Sequence, residues 1–216
     1  MKLKHWIRFL VYRDSTWHGQ FSALAPLLLK GQGVARTVVD VGANDGFYSS
    51  NSYPFLARGW QGLLVEPHPD AFRKAQLLHR KRTQVILLNA ACSDQDGELE
   101  LKTDASDEGG SHSSLGETPA GRPNPFPAPG APLRVKVHRL EALLEAHRIP
   151  LDFGLLTVDT EGHDFQVLRG TNLARYRPRV IITEKNPDDD DKFTHLRTHG
   201  YHLQANLTYD TVWTAT

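Results

Sequence analysis

Short runs of aliphatic and β-branched residues alternate along this chain with segments of helical spacing. The runs are Thr37–Val41 (TVVDV), Gln61–Val65 (QGLLV), Val85–Asn89 (VILLN), Phe153–Asp159 (FGLLTVD) and Val180–Glu184 (VIITE). Continuous apolar runs of this length suit strands buried on both faces, which is the habit of parallel sheets covered by helices. Tyr48–Arg58, Pro69–Arg80, Leu140–His147, Asp164–Arg169 and Lys192–His199 read as helices, with Pro54 kinking the first or delaying its start. Tyr201–Ala205 and Thr208–Thr214 read as a closing hairpin. This alternation predicts an α/β domain with a largely parallel sheet.

The chain has 216 residues, 39% of them hydrophobic, which suits one domain with a proper core. Lysine plus arginine balance aspartate plus glutamate, 25 against 25, so the totals carry no electrostatic footprint for nucleic acid or an anionic membrane. Cys92 is the single cysteine. It excludes an internal disulfide and a cysteine-cage zinc site, and it points to a reducing compartment. Arg8 interrupts the N-terminal apolar run and no small-residue cleavage site follows it. Phe21–Leu29 is too short to span a bilayer. The expectation is a cytoplasmic protein with no nucleic-acid or membrane partner.

Residues 1–36 read as a helical cap, 37–102 as a cofactor-binding half, and 133–216 as a substrate-side half ending in the hairpin. Between them, residues 103–132 are rich in Gly, Ser and Pro, either a disordered insertion or a lid. Its flanks, Glu98–Lys102 and Leu133–Val137, alternate apolar with polar and predict an antiparallel ribbon. The apolar Phe21–Leu29 segment packs either on its own sheet or on a second copy, so a homodimer stays open.

The chemistry concentrates at strand ends. VVDVGANDG (Val38–Gly46) carries a strand into Gly42 and Gly46, glycines that let the backbone turn tightly against a ligand. In open parallel sheets, ligands bind outside the carboxyl ends of the strands. A dinucleotide fingerprint requires glycine where this chain has Asn44, which disfavours a pyrophosphate cradle. Glu66 ends the second strand some twenty residues later, the position of an acid that accepts from ribose hydroxyls; alone, it would read as a solvated charge. Asn89–Gly97 (NAACSDQDG) offers small residues beside a flat ring, with Asp94 or Ser93 for an exocyclic amine, or else a plain strand exit. Asp159–Asp164 (DTEGHD) crowds acids and a histidine at one strand end. A helix cap by Asp164 or Thr160 explains one acid, but not Asp159, Glu161 and His163 together. Glu184 ends the neighbouring strand, so the group suits a general base or a divalent cation. The Asp188–Asp191 run reads as a solvated loop and helix cap, or as an addition to a cation site, and Cys92 as a small core residue.

With these residues in hand, the sequence resembles the FkbM family of S-adenosylmethionine-dependent methyltransferases. The matching pieces are VVDVGANDGFYS (Val38–Ser49), GWQGLLVEPHPDAF (Gly59–Phe72), LNAACSDQDGELEL (Leu88–Leu101), SHSSL (Ser111–Leu115), LLTVDTEGHDFQVLRG (Leu155–Gly170) and RPRVIITE (Arg177–Glu184). The resemblance implies a class I, Rossmann-like methyltransferase fold: a mostly parallel seven-stranded sheet with an antiparallel last strand and helices on both faces. It implies that Asp40, Gly42, Asn44 and Gly46, with Asp45 and Phe47 beside them, line the methionine end of the cofactor. Glu66 and the following Pro67 would hold the ribose, and Asn89, Ala90, Ala91 and Asp94 the adenine. Asp159 and the EGH after it would face the methyl group. Asp45 departs from the family, where an apolar or aromatic residue is commoner.

The implied activity is O-methylation of a small-molecule hydroxyl, on a sugar, polyketide, phenol or amino-acid derivative, by in-line transfer from a sulfonium. His163 is the first candidate base, being titratable near neutral pH. Asp159 and Glu184 are alternatives, as bases or as ligands of a Mg²⁺ or Ca²⁺ that acidifies the acceptor. The competing readings are a non-catalytic nucleoside-binding module and an NAD-dependent oxidoreductase.

Overall fold

The computed structural model describes residue 16 and residues 20–29, 33–103, 113–115, 131–186 and 189–215. Helix α1 (Phe21–Leu29) precedes β1 (Ala35–Val41), α2 (Tyr53–Leu56), β2 (Gln61–Val65), α3 (Pro69–His79) and β3 (Val85–Leu88). A side ribbon follows: β4 (Ala91–Ser93), β5 (Gly97–Thr103), β6 (Ser113–Leu115) and β7 (Leu133–Arg139). The chain returns through α4 (Leu140–Ala146), β8 (Phe153–Val158), α5 (Asp164–Arg169), β9 (Val180–Glu184), α6 (Asp190–Thr198), β10 (Tyr201–Asn206) and β11 (Asp210–Ala215).

The main sheet has seven strands in the order β10-β11-β9-β8-β1-β2-β3. β1 pairs in parallel with β2 and β8, β2 with β3, and β8 with β9. The last strand, β11, inserts antiparallel between β9 and β10. Fold class and strand direction therefore meet the expectation.

Successive residues of a strand point to opposite faces, and both faces of this sheet are apolar. Val39, Val41, Leu63, Leu156 and Ile181 pack with Leu140, Leu144, Val167, Leu168 and Leu196 of the helices on one side. Val38, Leu64, Leu155 and Ile182 pack with Phe21, Leu24, Leu28, Phe55 and Trp60 on the other. The apolar face of α1 thus lies on its own sheet.

The ribbon forms in the register that alternation implied, Glu98 opposite Lys136 and Leu101 opposite Leu133. Leu101, Val135, Val137 and Ala91 make its small core. β4 joins it in parallel, Ala91 opposite Val137; its three residues are too few to carry a period, so no sequence pattern marks this strand.

Several boundaries differ from expectation. Only Tyr53–Leu56 of the expected 48–58 helix is helical. Ser49 is left-handed (φ 58°) and Pro54 stands in the first turn, so the helix can start only late. Ala35 and Arg36 belong to β1 and not to the cap. In the Asp188–Asp191 run, Asp189 is buried and is not a solvated loop residue. It accepts from the Asn186 N–H and pairs with Lys192 at 2.8 Å. Of the 103–132 segment, residues 104–112 and 116–130 lie outside the described residues, and with them the lid reading. No helix among the described residues is long and apolar enough to cross a membrane.

Candidate functional site

The carboxyl ends of β1, β2, β8 and β9 open into a cavity of about 390 Å³. Its wall takes Asp40–Asn44 from β1 and its turn, Val65–Pro67 from β2, and Ala90–Cys92 beyond β3. Thr157 and Asp159–Glu161 come from β8, Glu184 from β9, Asp210 from β11, and Gln20 from just before α1.

The glycine turn is built by packing against its neighbours. Gly42 has φ 87°, and a Cβ there would stand 1.8 Å from the carbonyl oxygen of Asp159. Its N–H donates to Val65 O at 3.0 Å. Glycine is therefore required where the β1 and β8 loops touch, and not only beside a ligand. Gly46 (φ 75°) is excluded from a side chain by His79 and Ala75, and it is absent from the cavity wall. Asp45 accepts from the N–H groups of Phe47 and Tyr48, at 2.9 and 2.7 Å, an Asx turn within its own loop. Phe47 is buried edge-on against Tyr53. Neither Asp45 nor Phe47 lines the cavity, whereas Asp40, Gly42 and Asn44 do.

Glu66 is fixed by the backbone. Its Oε2 accepts from the Asn44 N–H and its Oε1 from the His68 N–H, both at 2.7 Å. The first bond ties the glycine turn to the end of β2. The side chain is 6% exposed, and burial pushes its carboxyl up to about 7 against the pull of those two bonds, with Asp40 adding to the rise. Asp40 accepts from Ser52 Oγ, and burial raises it to about 6. Asn89 does not face the cavity; its Nδ2 donates to Glu66 O and Pro67 O, stapling the end of β2. Ala90 and Ala91 line the wall, and Cys92 joins them rather than serving as core alone.

Asp94 and His163 stand away from the wall. Asp94 pairs with Arg169 at 3.3 Å. The His163 ring nitrogen Nε2 lies 2.9 Å from Ser93 Oγ. Burial lowers the imidazole's pKa, while Asp94 and Asp164 pull it back up. The first candidate base is therefore not brought to the cavity.

The remaining acids divide by task. Asp164 Oδ1 accepts from the Thr160 N–H and hydroxyl, and Oδ2 from Thr183 Oγ1 and the Glu184 N–H. Lys192, 2% exposed, supplies a buried countercharge at 3.9 Å. Asp164 thus braces two loops and has no lone pair directed at a ligand. Asp159 is reached by solvent through the cavity yet sits deep among protein atoms. That depth, with Glu184, Glu161, Asp164 and Asp210 around it, holds its carboxyl well above the ordinary range. Burial and the same neighbours push Glu184 up to about 8, and its Oε2 has no hydrogen-bond donor.

Asp210, Gln20 and Asn51 were not expected here. Asp210 lies directly opposite Glu184 in the β9–β11 register, a contact that exists only because β11 inserts beside β9. Gln20 Nε2 donates to Asp210 Oδ2. The Oε1 of Gln20 and the Oδ1 of Asn51 are buried without a donor. The wall carries Asp40, Glu66, Asp159, Glu161, Glu184 and Asp210, and no lysine or arginine among the described residues. Among those residues, no group of three or more His, Cys, Asp or Glu side chains is placed to hold a metal ion.

The Methyltransferase FkbM domain model matches residues 40–205. Among solved structures, the chain is similar to a methyltransferase FkbM from Methylobacillus flagellatus KT, at TM-score 0.52 and 13% identity over 82% of this chain. This chain spans 43% of that longer protein. It is also similar to a precorrin-6y C5,15-methyltransferase from Geobacter metallireducens GS-15 (TM-score 0.48, 13% identity, 90% of this chain and 86% of the other). A third likeness is the N-terminal domain of human METTL16 in complex with SAH (TM-score 0.46, 13% identity, 92% and 69%). A search of curated proteins finds no match. The matched span holds the whole glycine turn, the Glu66 clamp and the β8–β9 acids, and on it the chain belongs to the FkbM family of S-adenosylmethionine-dependent methyltransferases.

Proposed function

We propose that this chain transfers a methyl group from S-adenosylmethionine to a hydroxyl of a small-molecule acceptor, with Glu184 as the proton-accepting carboxylate. The observation that carries this reading is the composition of the cavity wall: carboxylates from β1, β2, β8, β9 and β11, and no described basic side chain. Such a wall suits a ligand with a sulfonium and an ammonium, and it repels the pyrophosphate of NAD.

The residues fit the cofactor at specific atoms. Glu66, held by two backbone N–H groups, keeps lone pairs for the ribose diol. The donorless Oδ1 of Asn51 and the carboxyl of Asp40 offer acceptors to an ammonium. Ala90 and Ala91 leave a flat wall for a ring. When bound, the cofactor supplies an electrophilic methyl carbon. The protein then has to align the acceptor oxygen and remove its proton; alignment supplies roughly 7–11 kcal/mol in favourable cases.

A base with a pKa near the working pH adds about 10²–10⁴-fold. Glu184, raised to about 8 and lining the wall, meets that requirement. Asp159 beside it holds the acceptor hydroxyl. His163 is not assigned the role, because its ring engages Ser93. The donor set does not favour Mg²⁺ or Ca²⁺ on Asp159 and Glu184: among the described residues they belong to no group of three or more His, Cys, Asp or Glu side chains placed to hold a metal ion, and the oxygens of Asp164 are taken by Thr160, Thr183 and Glu184. The same acids disfavour a nucleic-acid acceptor, whose phosphates they repel.

Methyl-labelled S-adenosylmethionine offered with a panel of hydroxyl compounds tests the proposal. Label should reach an acceptor oxygen, and Glu184→Gln should lower turnover about 10²-fold or more with cofactor affinity kept. Labelling of RNA instead, or full turnover by the variant, would overturn it.

A further inference from the structure

The cavity acids form two electrostatic groups. The charge of Asp40 acts on Glu66, at the cofactor end. At the opposite end Glu184, Glu161, Asp164 and Asp210 act on Asp159, and Glu161, Asp164 and Asp210 act on Glu184, with Lys192 as the one opposing charge on Glu184. This second group is larger than a single proton transfer needs, for one base suffices. Asp210 and Glu184 face each other across the β9–β11 register.

An independent feature also points to a ligand there. Gln20 is 5% exposed and lines the cavity. Its Nε2 is fixed on Asp210, which leaves Oε1 buried with no donor. Glu184 Oε2 is in the same condition. An unmade hydrogen bond on a buried polar atom costs about 1–3 kcal/mol, so both oxygens call for a donor from outside the chain. Gln20 Oε1 can only accept, and Glu184 accepts with both oxygens once it has given up its proton. A neutral polyol would bring donors but no charge, so Asp159 and Glu184 would still relieve their repulsion by keeping protons. A protonated amine brings up to three N–H donors and a positive charge in one group.

Resting on the methyl-transfer reading, we propose that the acceptor carries a protonated primary amine beside the hydroxyl to be methylated, and that Gln20, Asp159, Glu184 and Asp210 bind it. Gln20 and Asp210 then set substrate choice, while Glu184 serves both recognition and proton removal. Burial, with the charges of Glu161, Asp164 and Asp210, brings Glu184 to about 8 against the pull of Lys192, and burial brings Asp210 to about 6, with Asp164 raising it and the Gln20 hydrogen bond, Lys185 and Lys192 lowering it. A cation arriving between them lowers both, so its binding at pH 7 releases protons.

The test uses the full chain saturated with S-adenosylhomocysteine, after calorimetry has established that this ligand binds. D-glucosamine and D-glucose are then titrated at pH 7 and equal ionic strength in two buffers of different ionisation heat. Glucosamine should bind at least tenfold more tightly than glucose, with proton release. Asp210→Asn and Gln20→Ala should each weaken glucosamine at least tenfold and bring it toward glucose. Equal binding of the two sugars, no binding of either, or unchanged glucosamine affinity in both variants overturns the inference. Failure of S-adenosylhomocysteine to bind is seen before any sugar is added, and it removes the methyl-transfer reading instead.

Discussion

Replacing Glu66 by glutamine keeps the size of the side chain and removes its charge, so it isolates what the clamped carboxylate does. In the native protein each carboxylate oxygen takes one backbone N–H, from Asn44 or His68, at 2.7 Å. An amide has one acceptor oxygen, so one of those N–H groups would face an NH₂ and the clamp would open on that side. The ribose diol would also exchange at least one charge-assisted hydrogen bond for a weaker one. Hydrogen bonds to charged groups contribute about 1.5–3 kcal/mol. Losing one predicts a fall in S-adenosylhomocysteine affinity of roughly 10–140-fold, at 1.4 kcal/mol per decade. A pH series adds a second readout. Glu66 is raised to about 7, so below that pH it is protonated and must give up its proton to accept from both hydroxyls. Wild-type affinity should therefore weaken as pH falls from 8 to 6, and Glu66→Gln should lose part of that slope. Calorimetry at pH 6, 7 and 8 measures both effects. Affinity within threefold of wild type, with an unchanged slope, would refute the ribose role.

Other perturbations probe the frame around the site. Glu66, Glu184, Asp40 and Asp210 all have folded-state pKa values raised by burial, to about 7, 8, 6 and 6. Their stabilising contribution is complete below the unfolded carboxylate range and is lost as pH rises through those values. The buried histidines, lowered in pKa, oppose this only below about pH 6.5. The Tm of the ligand-free protein should therefore fall between pH 6.5 and 8.5 in a calorimetric scan, and a rise would contradict the burial of these acids. Gly42→Ala combines left-handed strain with a backbone clash at Asp159, for a loss of about 2–5 kcal/mol and a Tm lowered by about 10 °C; an unchanged melt would mean the two loops do not touch. His163→Ala should leave turnover within about threefold of wild type, and a loss of 10² or more would return His163 to the mechanism. Asp188–Lys192 spells DDDDK, the enteropeptidase recognition sequence, yet Lys192 is 2% exposed and paired with Asp189. The native protein should resist cutting there, which gel electrophoresis would report.

Much of the fold was legible because apolar runs report strands directly. QGLLV and VIITE become β2 and β9 with the expected bounds, and the ribbon register follows from alternation around Leu99 and Val135. The region after Gly46 was harder to read. Helical spacing there competes with the left-handed Ser49 and with Pro54, and local backbone restriction prevails. In the candidate site, Asp40, Gly42, Asn44, Glu66, Asp159 and Glu184 were found as residues at strand ends, which any parallel sheet gathers on one edge. Asp45, Phe47 and His163 share those segments but turn to Tyr48, Tyr53 and Ser93, a choice of rotamer that spacing does not reveal. Asp210 and Gln20 were invisible for a different reason. They reach the cavity only through the insertion of β11 and the docking of α1, and no local pattern encodes either.

The proposed occupant of the cavity is a cationic nucleoside cofactor and not a dinucleotide. Calorimetric titration of the wild-type protein with S-adenosylhomocysteine, and separately with NAD, tests it most directly. Micromolar binding of the first at one site per chain and no detectable binding of NAD is the expected result. Binding of NAD alone, or of neither by a folded sample, would contradict the reading of Glu66 and of the acidic wall together.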